Sequence, residues 1–269
     1  MSIKLPKLKK VDFNREKKKK ILLLSDDLRL HSGVGTMSRE IVYNTCHKYD
    51  WVQIGGAIKH PDKGKILDLS KSTNEETGLT DSNTILYPAD GYGDSSVVRE
   101  IIARENPDAI MLFTDPRYFM HIWNMESEIR KKIPIAYLNI WDDYPAPMYN
   151  KPYYEACDLL MGISKQTVNI NKLVLGEEAK NKIIEYVPHG IDDEAFYPIT
   201  DKHPSYENFA KFRNELFNGK DIDYVVFYNS RNIQRKHPGD TILAYKLFCD
   251  KIGPEKAKRC ALVMKGEIS

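Results

Sequence analysis

Two stretches carry the residues best suited to meet charge. In Tyr224 to Lys236, YVVFYNSRNIQRK, an apolar run of strand type gives way to Asn229 and Ser230, then to Arg231, Arg235 and Lys236, with Pro238 opening a helical pattern. Arg231 and Lys236 are spaced so that both reach one diphosphate if the loop curls, Arg through its planar fork and Lys as a point charge. Such a pair is otherwise a solvated surface, and its place between strand and helix is what favours a ligand. In His31-Ser32-Gly33-Val34-Gly35-Thr36, Gly33 and Gly35 stand where a strand meets a helix. Glycine there lets a ligand approach the backbone, and unpaired first-turn amides favour an anion. Ser38 occupies the position of the last glycine of a dinucleotide loop and no Walker lysine follows, so a tight turn is the competing reading.

A second set is weaker. Asp142 and Asp143 follow Trp141 at the end of an apolar run, where paired carboxylates accept from sugar hydroxyls, stabilise positive charge or cap the next turn. Val187-Pro188-His189-Gly190-Ile191-Asp192 is a strand end turning sharply, and His189 is by itself an ordinary loop histidine. His121 lies beside Ile122 and Trp123 on an expected helix, where packing is its natural role.

These residues need strands to hold them. Lys20–Ser25 is a continuous apolar run that fits a strand buried on both faces. Further strands are expected at Trp51–Gly56, Ile85–Pro88, Ala109–Phe113, Ile133–Ile140, Leu159–Ile163 and Ile183–Val187. Helical patterns lie between them: Met37 to Cys46, Val97 to Ile102 and Tyr118 to Lys132. Lys59–Asn83 is polar with little periodicity and reads as an extended surface excursion. The alternation predicts an α/β fold with a doubly wound parallel sheet over residues 20–200, preceded by a basic flexible arm at 1–19. After a polar linker at Asp201–Asn208, a second unit begins with the strand at Tyr224, a helix around Ile242 to Phe248 and a strand at Ala261–Met264. Residues 201–269 read as a partial Rossmann-like domain, cut short.

Length and composition bound the alternatives. A chain of 269 residues with 42% hydrophobic content can build a sizeable core. With 40 basic against 38 acidic residues, overall charge argues against nucleic acid as a partner. The excess at Lys4 to Lys20 suits a solvated arm, or contact with an anionic partner or membrane surface that nothing else supports. The four cysteines form no C-x-x-C pair, so no metal site is expected and a reducing compartment fits. The start at Met1-Ser2-Ile3-Lys4 has no h-region, and a cytoplasmic protein is the expectation.

Gly33-Val34-Gly35 after the first strand, VPHGID with Phe196 and Pro198 behind it, and SRNIQRK, in that order, resemble retaining nucleotide-sugar-dependent glycosyltransferases of the GT-B fold, glycogen-synthase-like and mannosyltransferase-like enzymes among them. The resemblance covers about Lys20 to Ser269. It implies two Rossmann-like domains, a complete acceptor-side one and a partial donor-side one. It implies transfer of a sugar from a nucleoside diphosphate sugar to a hydroxyl-bearing acceptor, glycan or small molecule, with no metal or other cofactor. Gly33 and Gly35 would lie near acceptor and diphosphate, Arg231 and Lys236 would neutralise the diphosphate, and Gly190, within the Pro188-x-Gly190-x-Asp192 turn, would help wall the cleft. Asp142 or Asp143 would orient hydroxyls. Trp141 stands where many members carry a histidine, so no catalytic histidine is carried over. The family's glutamate pair that holds the donor ribose would come after Gly266 and is absent. The rival expectation is therefore a non-catalytic remnant, or a half-enzyme whose partner is a complementary C-terminal chain.

Overall fold

The computed structural model describes residues 17–57, 59–193, 195–230 and 232–266. Most of the expected basic arm and the whole of Arg231 lie outside the described residues. The chain divides into two compact units, Met1–Gly190 and Ile191–Ser269. The change expected from sequence at residue 200 falls inside the second.

In the first unit, strands β1 (Lys19–Asp26), β2 (Tyr49–Ala57), β3 (Leu67–Asp68), β4 (Thr84–Asp90), β5 (Ala109–Phe113), β6 (Ile135–Asn139), β7 (Leu159–Gly162) and β8 (Ile183–Tyr186) form one sheet. Their order is β3-β4-β2-β1-β5-β6-β7-β8. Every neighbouring pair is parallel except β3 with β4. Helices α1 (Gly33–Thr45), α2 (Ser70–Thr77), α3 (Ser95–Glu105), α4 (Met120–Trp123), α5 (Glu126–Ile129), α6 (Lys151–Glu155) and α7 (Lys165–Leu175) connect them.

Residues alternate between the two faces of a strand, and β1 shows why its run is apolar throughout. Leu22 and Leu24 pack with Val98, Ile101 and Ile122 on one face, and Leu23 packs with Val42 and Cys46 of the α1 side on the other. All three leucines are fully buried, each contributing about 1.5–3 kcal/mol by transfer from water. Lysines tie the amino ends of the strands together: Lys19 Nζ reaches Asp108 and Lys20 Nζ reaches Glu105, both at 2.9 Å. Lys19, counted with the arm in the sequence reading, thus opens the first strand.

Two expectations are corrected. Lys59–Asn83 is not an excursion without structure, since it contains β3 and α2. Helix α2 buries only Thr73 and ends at Gly78 with φ 71°, so it has no apolar face for a periodicity to reveal. The helix expected over Tyr118–Lys132 is broken into a 3-10 turn at Pro116–Phe119 followed by α4 and α5. Phe119, Ile122, Met125 and Ile129 still all face the core, which is the pattern a single helix would show.

In the second unit, α8 (Tyr206–Leu216), β9 (Tyr224–Asn229), α9 (Pro238–Ile252), α10 (Pro254–Ala257) and β10 (Cys260–Lys265) surround a two-stranded parallel pair in which Tyr224 faces Cys260 and Asn229 faces Lys265. Helix α8 takes up the end of the expected linker. No residue of α8 or α9 is fully buried, and Phe212, Phe227, Leu243 and Leu247 are all more than half exposed. The expected architecture, one full parallel sheet and a smaller Rossmann-like piece, is what the chain has. No helix among the described residues is long and apolar enough to cross a membrane.

Candidate functional site

The first sheet has one topological switch point. From β1 the chain moves outward to β2 and β4, then returns to place β5 on the other side of β1. Ligands of open α/β sheets bind in the crevice outside the carboxyl ends of such strands. The loops after β1, β5 and β6 border it.

In the loop after β1, Ser32 caps α1 by accepting from the Gly35 amide at 2.9 Å, and its hydroxyl donates to Asp26 Oδ2 at 2.7 Å. The Tyr92 hydroxyl donates to Asp26 Oδ1 at 2.7 Å, and burial together with that carboxylate raises the phenol's pKa. The two glycines differ. A Cβ on Gly35 would stand 2.7 Å from the Leu30 carbonyl oxygen and 2.9 Å from that of Asp27, whereas one on Gly33 would meet nothing within 4 Å. Packing alone accounts for Gly35, and Gly33 is exposed at the first helical position. With Ser32 as cap and Asp26 behind it, the start of α1 is already partly satisfied and carries negative charge, which lowers its appeal to a phosphate.

Asp27 was legible in sequence only as the end of a strand, yet it anchors a buried cluster. Its carboxylate accepts from Nε and Nη2 of Arg29 and from the Arg29 amide, and His60 Nε2 lies 2.8 Å from Oδ2. The Asp62 amide donates to His60 Nδ1 at 3.1 Å. Nδ1 is thereby the acceptor, and Nε2 carries the proton given to Asp27. Burial pushes the Asp27 carboxyl up, but the bonds from Arg29 and His60 outweigh it and hold it below the ordinary value. Every strong acceptor site is used, so the cluster shapes the loop and does not present a free base.

After β5, Asp115 grips Arg117 through Nε at 2.9 Å and through Nη2; burial would raise the Asp115 carboxyl, and Arg117 more than offsets it. The guanidinium lies 5.6 Å from the centroid of the Trp141 ring. Trp141 in turn meets Tyr149 edge-on at 5.9 Å. Asn139, at the end of β6 and fully buried, holds this loop: Oδ1 accepts from the Trp141 amide at 3.0 Å and from the Tyr137 hydroxyl at 3.3 Å, while Nδ2 donates to Tyr154 and Asn171. Asp142 and Asp143 are exposed. Their carbonyls accept from Gln166 and from the Trp141 indole. The Asp143 carboxylate accepts from the Tyr144 amide, and that of Asp142 has no partner among the described residues. His189 packs edge-on against Phe113 at 5.7 Å, and partial burial lowers its pKa. Gly190 is exposed at the end of this unit. His121, expected to pack, buries its Nε2 without a hydrogen-bond partner among the described residues, and burial lowers its pKa.

In the second unit, Lys236 is exposed and ends a 3-10 turn, Gln234–Lys236, that runs directly into α9. The Tyr228 hydroxyl donates to its carbonyl at 3.1 Å. His237, at the cap position, makes no side-chain cap bond and instead lies 3.3 Å from Asp240 in the first turn. Unlike α1, α3 and α7, capped by Ser32, Asp94 and Ser164, this helix has no side-chain cap; Pro238 at its first position has no N–H, so the amides left without a cap are those of Gly239 and Asp240, the latter with its own carboxylate in the first turn. Arg231 falls outside the described residues.

No family model matches the sequence, and no curated protein matches it. Solved structures do. The apo structure of OtsA matches with a TM-score of 0.60 at 12% identity, covering 94% of this chain and 66% of that one. The α,α-trehalose 6-phosphate synthase of Burkholderia multivorans gives 0.59 at 11%, covering 94% and 64%, and a glycosyltransferase from Rickettsia africae 0.54 at 12%, covering 93% and 69%. The chain therefore has the GT-B type of α/β fold expected from its motifs and spans about two thirds of the length of these structures. Identities this low carry the fold and not the substrate.

Proposed function

We propose that this chain belongs to a glycosyltransferase that moves a sugar from a nucleoside diphosphate sugar to a hydroxyl acceptor, with retention of configuration. The observation that carries this reading is the start of α9: after β9 and the cations Arg235 and Lys236, the helix opens at Pro238 with no side-chain cap on the Gly239 and Asp240 amides, the place in the second unit best suited to a diphosphate. As the sugar departs, negative charge develops on that diphosphate while the anomeric carbon becomes oxocarbenium-like. Lys236, Arg231 and the α9 amides stabilise the leaving group without a metal. The first unit supplies the acceptor side, with Asp142 or Asp143 accepting from hydroxyls and Gly33 leaving the backbone open.

Isothermal titration of the chain with UDP and GDP, beside an Arg231→Ala, Lys236→Ala double variant, tests it. Saturable binding lost in the variant supports the reading. A folded chain that binds neither nucleotide removes its basis.

The exposed apolar faces of α9 and β9 favour a second reading, in which the donor half works only with further polypeptide packed on them. Nucleotide binding that appears only on adding such a chain would distinguish the two.

A further inference from the structure

The edge formed by the loops after β5 and β6 has a charge pattern that selects among acceptors. Both arginines near the crevice are committed: Arg29 to Asp27 and Asp62, and Arg117 to Asp115. A phosphate recognised bidentately needs a free fork, and neither offers one. Lys165, at the start of α7, is exposed, as are Asp142 and Asp143 in the loop after β6. The loops after β5 and β6 also carry an aromatic surface. Trp141 is bracketed by Arg117 and Tyr149, Tyr118 and Tyr149 are 61% and 60% exposed, and Tyr144 is 47% exposed. Aromatic rings standing out of a folded surface beside hydroxyl acceptors suit a ligand with a flat apolar face and polar edges.

We propose that the acceptor taken by this edge is an uncharged saccharide, stacked on the surface of Trp141, Arg117 and Tyr149 with its hydroxyls donating to Asp142 and Asp143, and that phosphorylated sugars and nucleic acid are rejected by charge. This rests on the glycosyltransferase reading for the word acceptor, though not for the binding itself. Asp115 cancels most of the Arg117 charge, so the stacking surface is nearly neutral. A phosphate brought beside Asp142 would meet like charge with no free fork to offset it.

Saturation-transfer NMR on the 269-residue chain tests this with a panel of methyl glucosides, galactosides and mannosides and maltotriose, against glucose 6-phosphate and a short DNA duplex. The expected result is transfer to at least one neutral glycoside, unchanged between about 0.05 and 0.5 M salt because no net charge is neutralised, and none to the phosphosugar or duplex. Trp141→Ala should abolish the signal. Asp142→Asn with Asp143→Asn, both exposed and with an amide oxygen that keeps the bond Asp143 receives from the Tyr144 amide, should weaken it at least tenfold while the melting temperature holds. No transfer to any neutral glycoside overturns the proposal, as does tighter binding of glucose 6-phosphate or DNA. Because no nucleotide is present, loss of saccharide binding and loss of UDP or GDP binding report separately on this inference and on the transferase reading.

Discussion

His60 Nε2 and Asp27 Oδ2 lie 2.8 Å apart with their side chains only 3% and 1% exposed, joining residues 33 positions apart in sequence. The pair fastens the segment after β2 to the end of β1, and with Arg29 it fixes the path of the chain into the glycine loop.

Removing one partner of such a buried pair leaves the rest uncompensated, so Asp27→Asn is expected to cost about 3–5 kcal/mol at neutral pH. The sign with pH follows from the depressed Asp27 pKa. Its contribution is complete above the ordinary carboxylate value and is lost as pH falls through the lower folded value. Urea unfolding of wild type and variant should therefore show a gap at pH 7 that narrows below about pH 4. A gap that widens on acidification contradicts this account.

Gly33→Ala and Gly35→Ala should separate sharply. Overpacking against the carbonyls of Leu30 and Asp27 should cost Gly35→Ala about 1–3 kcal/mol. Gly33→Ala meets open space and should stay within about 0.5 kcal/mol of wild type, so any loss of ligand binding in it reports on the ligand and not on the fold. Thermal melts of the two variants decide.

Asn139→Ala removes the acceptor of the Trp141 amide and leaves Asn171 Oδ1 without its donor in the interior, while the Tyr154 hydroxyl keeps only the longer bond from Asn150. A loss of about 1–3 kcal/mol is expected for the unpaired groups. The Trp141 emission should shift as its loop loosens. Normal stability with unchanged emission would show that the loop is held by other contacts.

His189 should titrate below its ordinary value of 6.5, because partial burial against Phe113 disfavours the charged ring. At pH 7 it is then neutral, able to donate from one nitrogen and accept at the other. An NMR titration midpoint above 6.5 would reverse that assignment.

Local signals made the main strands readable, and long-range ones were invisible. Ala109–Phe113 was bounded correctly because five apolar residues between Asp108 and Thr114 can be little else than a buried strand. Helix α2 was missed because SKSTNEET has no apolar stripe and is held by β4 and by Ser70, whose carbonyl and hydroxyl bond to Ser82 and Thr84. The Asp27–His60 contact leaves no trace in spacing, since its partners come from two loops and His60 sits in a polar stretch. The pairing of Arg117 with Trp141 was hidden in the same way, although Trp141 itself was noticed. Asp142 and Asp143 are singled out by their place after a strand, a general rule of open sheets, and the structure sets both exposed in the loop after β6. Gly35 illustrates the reverse: the motif drew attention to it, and the atoms around it give a packing reason.

The central position of β1 also bears on how the polypeptide is made. Its neighbours are β2 on one side and β5, ending at Phe113, on the other. During synthesis the chain can pair β1 with β2 and β4 early, but the opposite edge, with Leu22 to Leu24 beneath it, stays open until Phe113 has cleared the ribosome. Nascent chains halted before that point present β1 as an unpaired, apolar strand edge, the form most prone to stick to its own kind, and in those halted just after β5 has emerged the open edge passes to β5 until β6 pairs with it.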